Sequence, residues 1–489
     1  MKTSFYFLTN RLLALAATLL GALGANAGIS LPAIISDNMV MQQHCNAKLW
    51  GTAAPGECID VTTTWSDKTY SVTADNSGHW ELRIATPGCS NGEALTFASA
   101  SDTVTVKNVM VGEVWLCSGQ SNMEFPVGRK NEWQTGMSTF ESDIQDAEYP
   151  MIHLFKVDKV RSIDKPRTDC NGRWIVCNAE NVYDFSAIAF VVGRDLYNRL
   201  HRPVGMISCA WGGSPAESWT KRDVMENDPL YASVFQQYSL EKMAPKHWEH
   251  KVPGMLWNSM VSPILGYTVK GNIWYQGESN AFRAADYPQV FTNMVRSWRD
   301  EWQQRMPFYC MMVAPHSTQP AELRMAQMDT WLNCGIKDIG LATVIDRGDS
   351  LDLHPRDKLT AGKRLAAWVL AKEYSVKVPY MGPLAKSCHR KGNAIVVKFS
   401  YAKGLRCNGN AVNDLQIAGA DGIFHPASGR VAGRKLVVTC DNVTEPVAVR
   451  YCQSNYCEGN LYNSDNLPAY PFVMKIEIEY ILNRYFNVR

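Results

Sequence analysis

From residue 28 to about 107, apolar and polar positions alternate in short runs broken by turn residues. Ala47-Lys48-Leu49-Trp50-Gly51 leads into Ala54-Pro55-Gly56-Glu57, and Ile59–Trp65 is followed by Asp75-Asn76-Ser77-Gly78 and Trp80–Ile84. Period-two alternation with turn signals every ~8–12 residues predicts a small β-sandwich.

The texture changes between about 108 and 378. Continuous apolar runs at Val114–Cys117, Val204–Ala210, Asn272–Tyr275, Phe308–Ala314 and Leu341–Ile345 read as strands buried on both faces. Helical periodicity lies between and after them. Ser186–Leu200 predicts one helix and Lys358–Tyr374 another. A third starts near Asp286-Tyr287-Pro288 and carries Val290, Phe291, Met294, Val295, Trp298 and Trp302 on one face. Pro288 suits a first turn, where its missing N–H costs no hydrogen bond. Strand–helix alternation predicts an α/β fold, a parallel sheet with helices on both faces. From about 379 the pattern returns to β, with Ala394–Phe399, Lys435–Thr439 and Val447–Tyr451 as strands of a C-terminal β-rich module.

Residues 1–27 read as an address. Lys2 and Arg11 precede the apolar run Leu12–Leu20, and Ala25-Asn26-Ala27 forms a small-x-small cleavage site before Gly28. The run is shorter than the roughly 20 residues of a membrane span, so a cleaved secretory signal peptide is predicted. The expected mature chain is exported, periplasmic or extracellular, and has no membrane span. Its expected divisions are 28–107, 108–378 and 379–489.

Lys and Arg number 49 against 47 Asp and Glu, which argues against nucleic-acid binding through bulk charge. The 14 cysteines allow disulfides in an exported chain, with Cys452/Cys457 and Cys170/Cys177 close in sequence. No CxxC or closely spaced His pair predicts a structural zinc site, and no metal is expected.

Chemistry gathers where the predicted strands end, which is where open parallel sheets place their sites. After the first strand comes Gly119-Gln120-Ser121-Asn122-Met123-Glu124. A serine at such a turn can project its hydroxyl from the sheet edge, with its own N–H facing a developing oxyanion. The sequence is not a GxSxG elbow, which disfavours an α/β-hydrolase. Gly212-Gly213-Ser214-Pro215 follows the second strand and offers the Gly213 N–H. Trp274-Tyr275-Gln276-Gly277-Glu278-Ser279-Asn280 ends the third, where Asn280 or Gln276 can donate a side-chain N–H; Glu278 reads as a buried carboxylate shaping its loop. Asp349-Ser350-Leu351-Asp352-Leu353-His354 ends the last. Two residues apart in an extended stretch, Asp352 and His354 point to one side.

In this order the four segments resemble the SGNH hydrolase superfamily, and within it the sialate O-acetylesterase family. Asp352-Leu-His-Pro-Arg-Asp-Lys358 and Gly459–Phe472 extend the likeness over essentially the whole mature chain. The resemblance implies an SGNH-type, flavodoxin-like sheet. It implies a serine esterase that removes O-acetyl groups from sialic acids without metal or organic cofactor. Ser121 would be the nucleophile and His354 the general base. Asp352 is the expected third member, with Asp349 in reserve and a Ser–His dyad aided by a backbone carbonyl as a further alternative, because the superfamily's usual place three residues before the His holds Leu351. The N–H groups of Ser121 and Gly213 and the Asn280 side chain would form the oxyanion hole. Gln120, Gln276 and Glu278 are the candidate substrate-binding residues, and Arg283, Arg347 and Arg356 are candidates for a sugar carboxylate. Trp211, Trp219, Trp274 and Phe282 are aromatics that can stack on a sugar. Another acetylated sugar such as xylan is the alternative substrate. A non-catalytic sugar-binding protein is a reading from a different class.

Overall fold

The computed structural model describes residues 28–145 and 148–476. The predicted signal peptide lies outside them. The chain folds as mixed α/β with further β-rich sheets at its C-terminal end.

The central sheet is built from β1 (Thr103–Gly119), β2 (Glu148–Lys156), β3 (Trp174–Asn178), β4 (Val204–Ala210), β5 (Gly271–Tyr275), β6 (Phe308–Met311) and β7 (Ile339–Ala342). Their spatial order is β7-β6-β5-β1-β4-β2-β3. Every neighbouring pair is parallel except β2 with β3. With β1, β4, β5, β6 and β7 numbered 1 to 5, the order is 2-1-3-4-5, a doubly wound arrangement that switches direction beside β1. All residues of β4, β5 and β6 are buried, as their unbroken apolar runs require.

β1 is 17 residues long and serves two sheets. Its first half alternates and pairs antiparallel with Ser90–Ala98, in the sheet that also holds Cys58–Thr63 and Ser66–Thr73. Its second half, from Glu113, is wholly buried and pairs with β4 and β5. The change from alternation to a continuous apolar run marks where the strand passes from a one-sided to a two-sided core.

Helices α1 (Ala187–Leu200), α2 (Tyr287–Trp302), α3 (Ala321–Asn333) and α4 (Lys358–Glu373) cover the sheet. Ser186 caps α1 by accepting the Ala189 N–H, and Asp357 caps α4 by accepting that of Thr360. The periodicity missed α3. Its buried residues include Arg324 and Gln327 as well as Leu323 and Met328, so polarity does not mark the packed face.

The C-terminal β-rich module has its own core around Ile395, Val397, Ile417, Leu436 and Tyr451. Ile345, just after β7, belongs to that core and not to the central one. Arg324 reaches from α3 to the carbonyls of Ser454 and Asn455. A second tie is at Asp346, whose carboxylate takes a two-pronged bond from Arg364 at 2.6 and 2.9 Å and a third from the Tyr462 hydroxyl at 3.1 Å. Arg364 also donates to the Thr343 carbonyl at 2.8 Å. Both side chains are buried, so removing one strands the other. Arg364→Met is expected to cost about 3–5 kcal/mol. Urea unfolding of the whole protein checks this, and an unchanged midpoint would contradict it.

Candidate active site

The loops after β1, β4, β5 and β7 converge at the carboxyl edge of the sheet. Ser121 opens a one-turn helix, Ser121–Glu124, directly after β1. Gly119 has φ +140°, and a Cβ there would stand 2.2 Å from the Tyr275 carbonyl oxygen. Glycine therefore lets β1 and β5 close on each other as the chain turns toward Ser121.

The Ser121 hydroxyl and His354 Nε2 share a hydrogen bond of 2.8 Å. The contact joins two groups 233 residues apart in sequence, a hydroxyl and an imidazole of the kind that can exchange a proton. Asp352 accepts the backbone N–H of His354 at 2.8 Å through Oδ1. The same oxygen is 3.9 Å from His354 Nδ1, an ion-pair distance longer than a hydrogen bond. Asp349 is turned to its own loop, where it accepts the N–H groups of Leu351 and Asp352. Burial holds the His354 pKa below the ordinary imidazole value, and the Lys358 charge adds to this; Asp352 and Glu124 pull the other way.

Beneath this pair lies a buried polar chain. Asn122 donates to Glu278 Oε1 at 2.6 Å and to the Leu353 carbonyl at 3.2 Å. Lys358 donates to Asn122 Oδ1 at 2.6 Å and to the Pro355 carbonyl at 2.8 Å. Asn122 thus fixes the His354 loop against the helix that starts with Ser121. Desolvation pushes the Lys358 ammonium down to about 7 and the Glu278 carboxyl up.

Two backbone donors in the loops around the site are free. Among the described residues neither the Ser121 N–H nor the Gly213 N–H has a partner in the protein. Gly213 has φ +74°, which favours glycine. Gly212 packs so close that a Cβ would lie 3.2 Å from that of Ser121. Its N–H donates to Glu124 Oε2 at 2.7 Å, which fixes the loop.

The other expected site residues sit differently. Asn280 is bonded to the neighbouring loops and does not line the cavity at Ser121. Its Nδ2 donates to Glu217 at 2.9 Å, its Oδ1 accepts the N–H groups of Gln276 and Ala216, and it is buried. It braces the loop that carries Gly213. Gln120, Gln276 and Glu278 are also buried and do not line the cavity at Ser121. Gln120 Oε1 accepts the N–H groups of Gly277 and Ser279, and Gln276 donates to Asn280, so these side chains stitch strand-end loops together. The cause is common to all of them: polar side chains packed between loops must bond to neighbours once water is excluded. Arg283 pairs with the buried Glu217 at 2.5 Å, Arg347 with Asp346 and Asp357, and Arg356 donates to the Gly136 carbonyl. Trp219 and Trp274 belong to the core and Phe282 is exposed, which leaves Trp211 beside the cavity.

That cavity has a volume of about 290 Å³ and holds Ser121 and His354 in its wall with Trp211 and Gly212. Asn131, Trp133 and Gln134 also line it. Trp133 is 79% exposed, and its loop is set by Asn131 Oδ1, which accepts the N–H groups of Trp133 and Gln134. An exposed indole held at the mouth of a cavity is a surface for stacking a sugar ring. A larger cleft of about 690 Å³ lies between the N-terminal β region and residues 167–169, away from these groups. Among the described residues one set of possible metal ligands occurs, Asp414, Cys452 and Cys457, in the C-terminal module.

The sequence reading missed Asn122, Glu124, Trp133, Lys159 and Lys358. Asn122, Glu124 and Lys358 were visible inside the quoted motifs. Trp133 and Lys159 lie in irregular loops, where no periodicity or strand end points to them.

A family model described as a carbohydrate esterase, sialic acid-specific acetylesterase, matches residues 111–371. The sialate O-acetylesterase of Mus musculus is 25% identical over 523 residues, covering 92% of this chain and 95% of the relative. That of Homo sapiens is 26% identical over 504 residues, covering 92% and 93%. Among solved structures, a carbohydrate acetylesterase from Xanthomonas citri is similar at 29% identity with a TM-score of 0.80, over 91% of this chain and 99% of that one. Among the described residues no helix is long and apolar enough to cross a membrane.

Proposed function

The chain belongs to the carbohydrate esterase family of sialic acid-specific acetylesterases, and from that premise we propose that it cleaves O-acetyl esters of sialic acids through an acetyl group carried on Ser121. The observation that carries the proposal is the 2.8 Å contact between Ser121 Oγ and His354 Nε2 in the wall of an open cavity.

In the first half, His354 Nε2 takes the Ser121 proton as Oγ bonds to the acetyl carbon. The Ser121 and Gly213 N–H groups hold the oxyanion, each worth about 3–4 kcal/mol. His354 then gives its proton to the departing sugar oxygen and the ester C–O bond breaks. In the second half, water loses a proton to His354 and attacks the acetyl-serine, and acetate leaves as Ser121 regains its proton. Asp352 is the third member in this reading. It acts as a nearby negative charge that favours the imidazolium, and through its bond to the His354 backbone it sets the loop.

The same proposal assigns the fold to the SGNH type, with a flavodoxin-like sheet at 108–378 between β units at 28–107 and 379–489. Residues 1–27 then direct export to the periplasm or the exterior.

Acetate release from O-acetylated sialic acid, with acetylated xylan in parallel, tests the substrate. Turnover of the sialate with little on xylan is expected. Turnover on xylan alone would keep the mechanism and overturn the sugar.

A further inference from the structure

A sialic acid brings a carboxylate into the cavity together with its ester. The arginines that the sequence suggested for it are engaged elsewhere, with Glu217, with Asp346 and Asp357, and with the Gly136 carbonyl. One cationic side chain does line the cavity among the described residues: Lys159, in the loop that leaves β2.

Lys159 lies on the Trp211–Gly212 side. Its Nζ pairs with Glu124 Oε1 and sits 5.4 Å from the centre of the Trp211 ring. Glu124 spends its other oxygen on the Gly212 N–H. An ammonium has three N–H donors, and the Lys159 side chain is 38% exposed, so it can serve Glu124 and a ligand at once. Glu124 stays fixed by the backbone when it shares that cation.

The charge around Lys159 supports an acidic ligand. The His250 ring stacks on Trp211 at 5.3 Å with 10° between the planes. A Cβ on Gly213 would lie 3.5 Å from His250 Nε2 and 3.8 Å from Lys251 Cε. Burial pushes His250 down to about 4, helped by Lys251, Lys159 and Arg161, while Glu249 opposes them. The imidazole is therefore neutral at pH 7. Around His250, behind Trp211, the charges of Lys251, Lys159 and Arg161 each act more strongly than that of Glu249, so the field there is cationic. A neutral acetylated sugar gains nothing from this field, whereas a sugar acid meets the Lys159 ammonium in the same cavity as Ser121.

We infer that Lys159 is the carboxylate-binding residue of this cavity, holding the acid group of the sugar while the acetyl ester faces Ser121. The inference rests on the proposed esterase function and adds the group that selects an acidic sugar. A lysine acts here as a point charge and needs no two-pronged geometry.

The test measures KM for an O-acetylated sialic acid and for its C1 methyl ester, which lacks the charge, with wild type, Lys159→Met and Lys159→Arg. The readout is the ratio of the two KM values, in which any disturbance of Glu124 and Gly212 cancels. Lys159→Met should raise the acid-to-ester ratio about tenfold or more, the size expected for a lost charge-assisted hydrogen bond. Lys159→Arg should restore most of it. A ratio unchanged in Lys159→Met, with wild type active on both substrates, overturns the carboxylate site alone. A wild type inert on both, yet active on acetylated xylan, overturns the sialate function and this site with it.

Discussion

Ser121→Ala should lower kcat for acetate release by about 10⁴–10⁶-fold with KM little changed. The hydroxyl is the atom that bonds to the acetyl carbon, and nothing else in the contact with His354 replaces it. Alanine keeps the backbone N–H, so the oxyanion donors survive and a small residual rate remains. The fold has no stake in the hydroxyl. Ser121 is partly exposed, and no cap bond depends on its side chain. An unaltered unfolding midpoint beside lost turnover is therefore the expected pairing. Loss of less than tenfold would show that another residue attacks the ester.

His354→Ala should cost about 10³–10⁵-fold, since the serine then has no base and the leaving oxygen no acid. The pH profile of the wild type adds an independent reading. The reactive form is the neutral imidazole. Burial and the Lys358 charge lower its pKa, so protonation waits for more acid than usual. The acid limb of kcat/KM should thus fall below pH 6.5, roughly the ordinary histidine value. Asp352→Asn removes a charge that favours the imidazolium and should move that limb lower still. Its loss of rate should be well under that of His354→Ala, because the carboxylate stands 3.9 Å from Nδ1 and is 46% exposed. An acid limb at or above pH 7 would contradict this account of the His354 environment.

Much of this architecture could be read before any coordinates. Continuous apolar runs located β4 to the residue and β5 to within one, because strands buried on both faces carry no other pattern. Helical periodicity placed the starts of α1 and α4 to within one residue, and the structure shows Ser186 and Asp357 capping them. Ordered motifs at strand ends placed Ser121 opposite His354. What escaped was decided by tertiary packing. The edge pair β2 and β3 and the helix α3 have mixed surroundings that blur their periods. Asn280 and Gln276 carried the right chemistry for donors, yet burial turned their amides toward Glu217 and each other. No spacing rule shows which of several amides in one loop will face a cavity. Lys159 and Trp133 reach the site from irregular loops, so only the fold could bring them there.

The central claim is that the acetyl group passes through Ser121. The most direct measurement is acid quenching of the enzyme during turnover of an O-acetylated sialic acid, followed by mass analysis of the peptide containing Ser121. One acetyl group on Ser121, absent from Ser121→Ala, is the predicted result. Steady acetate release with Ser121 unmodified, and retained in Ser121→Ala, would contradict it.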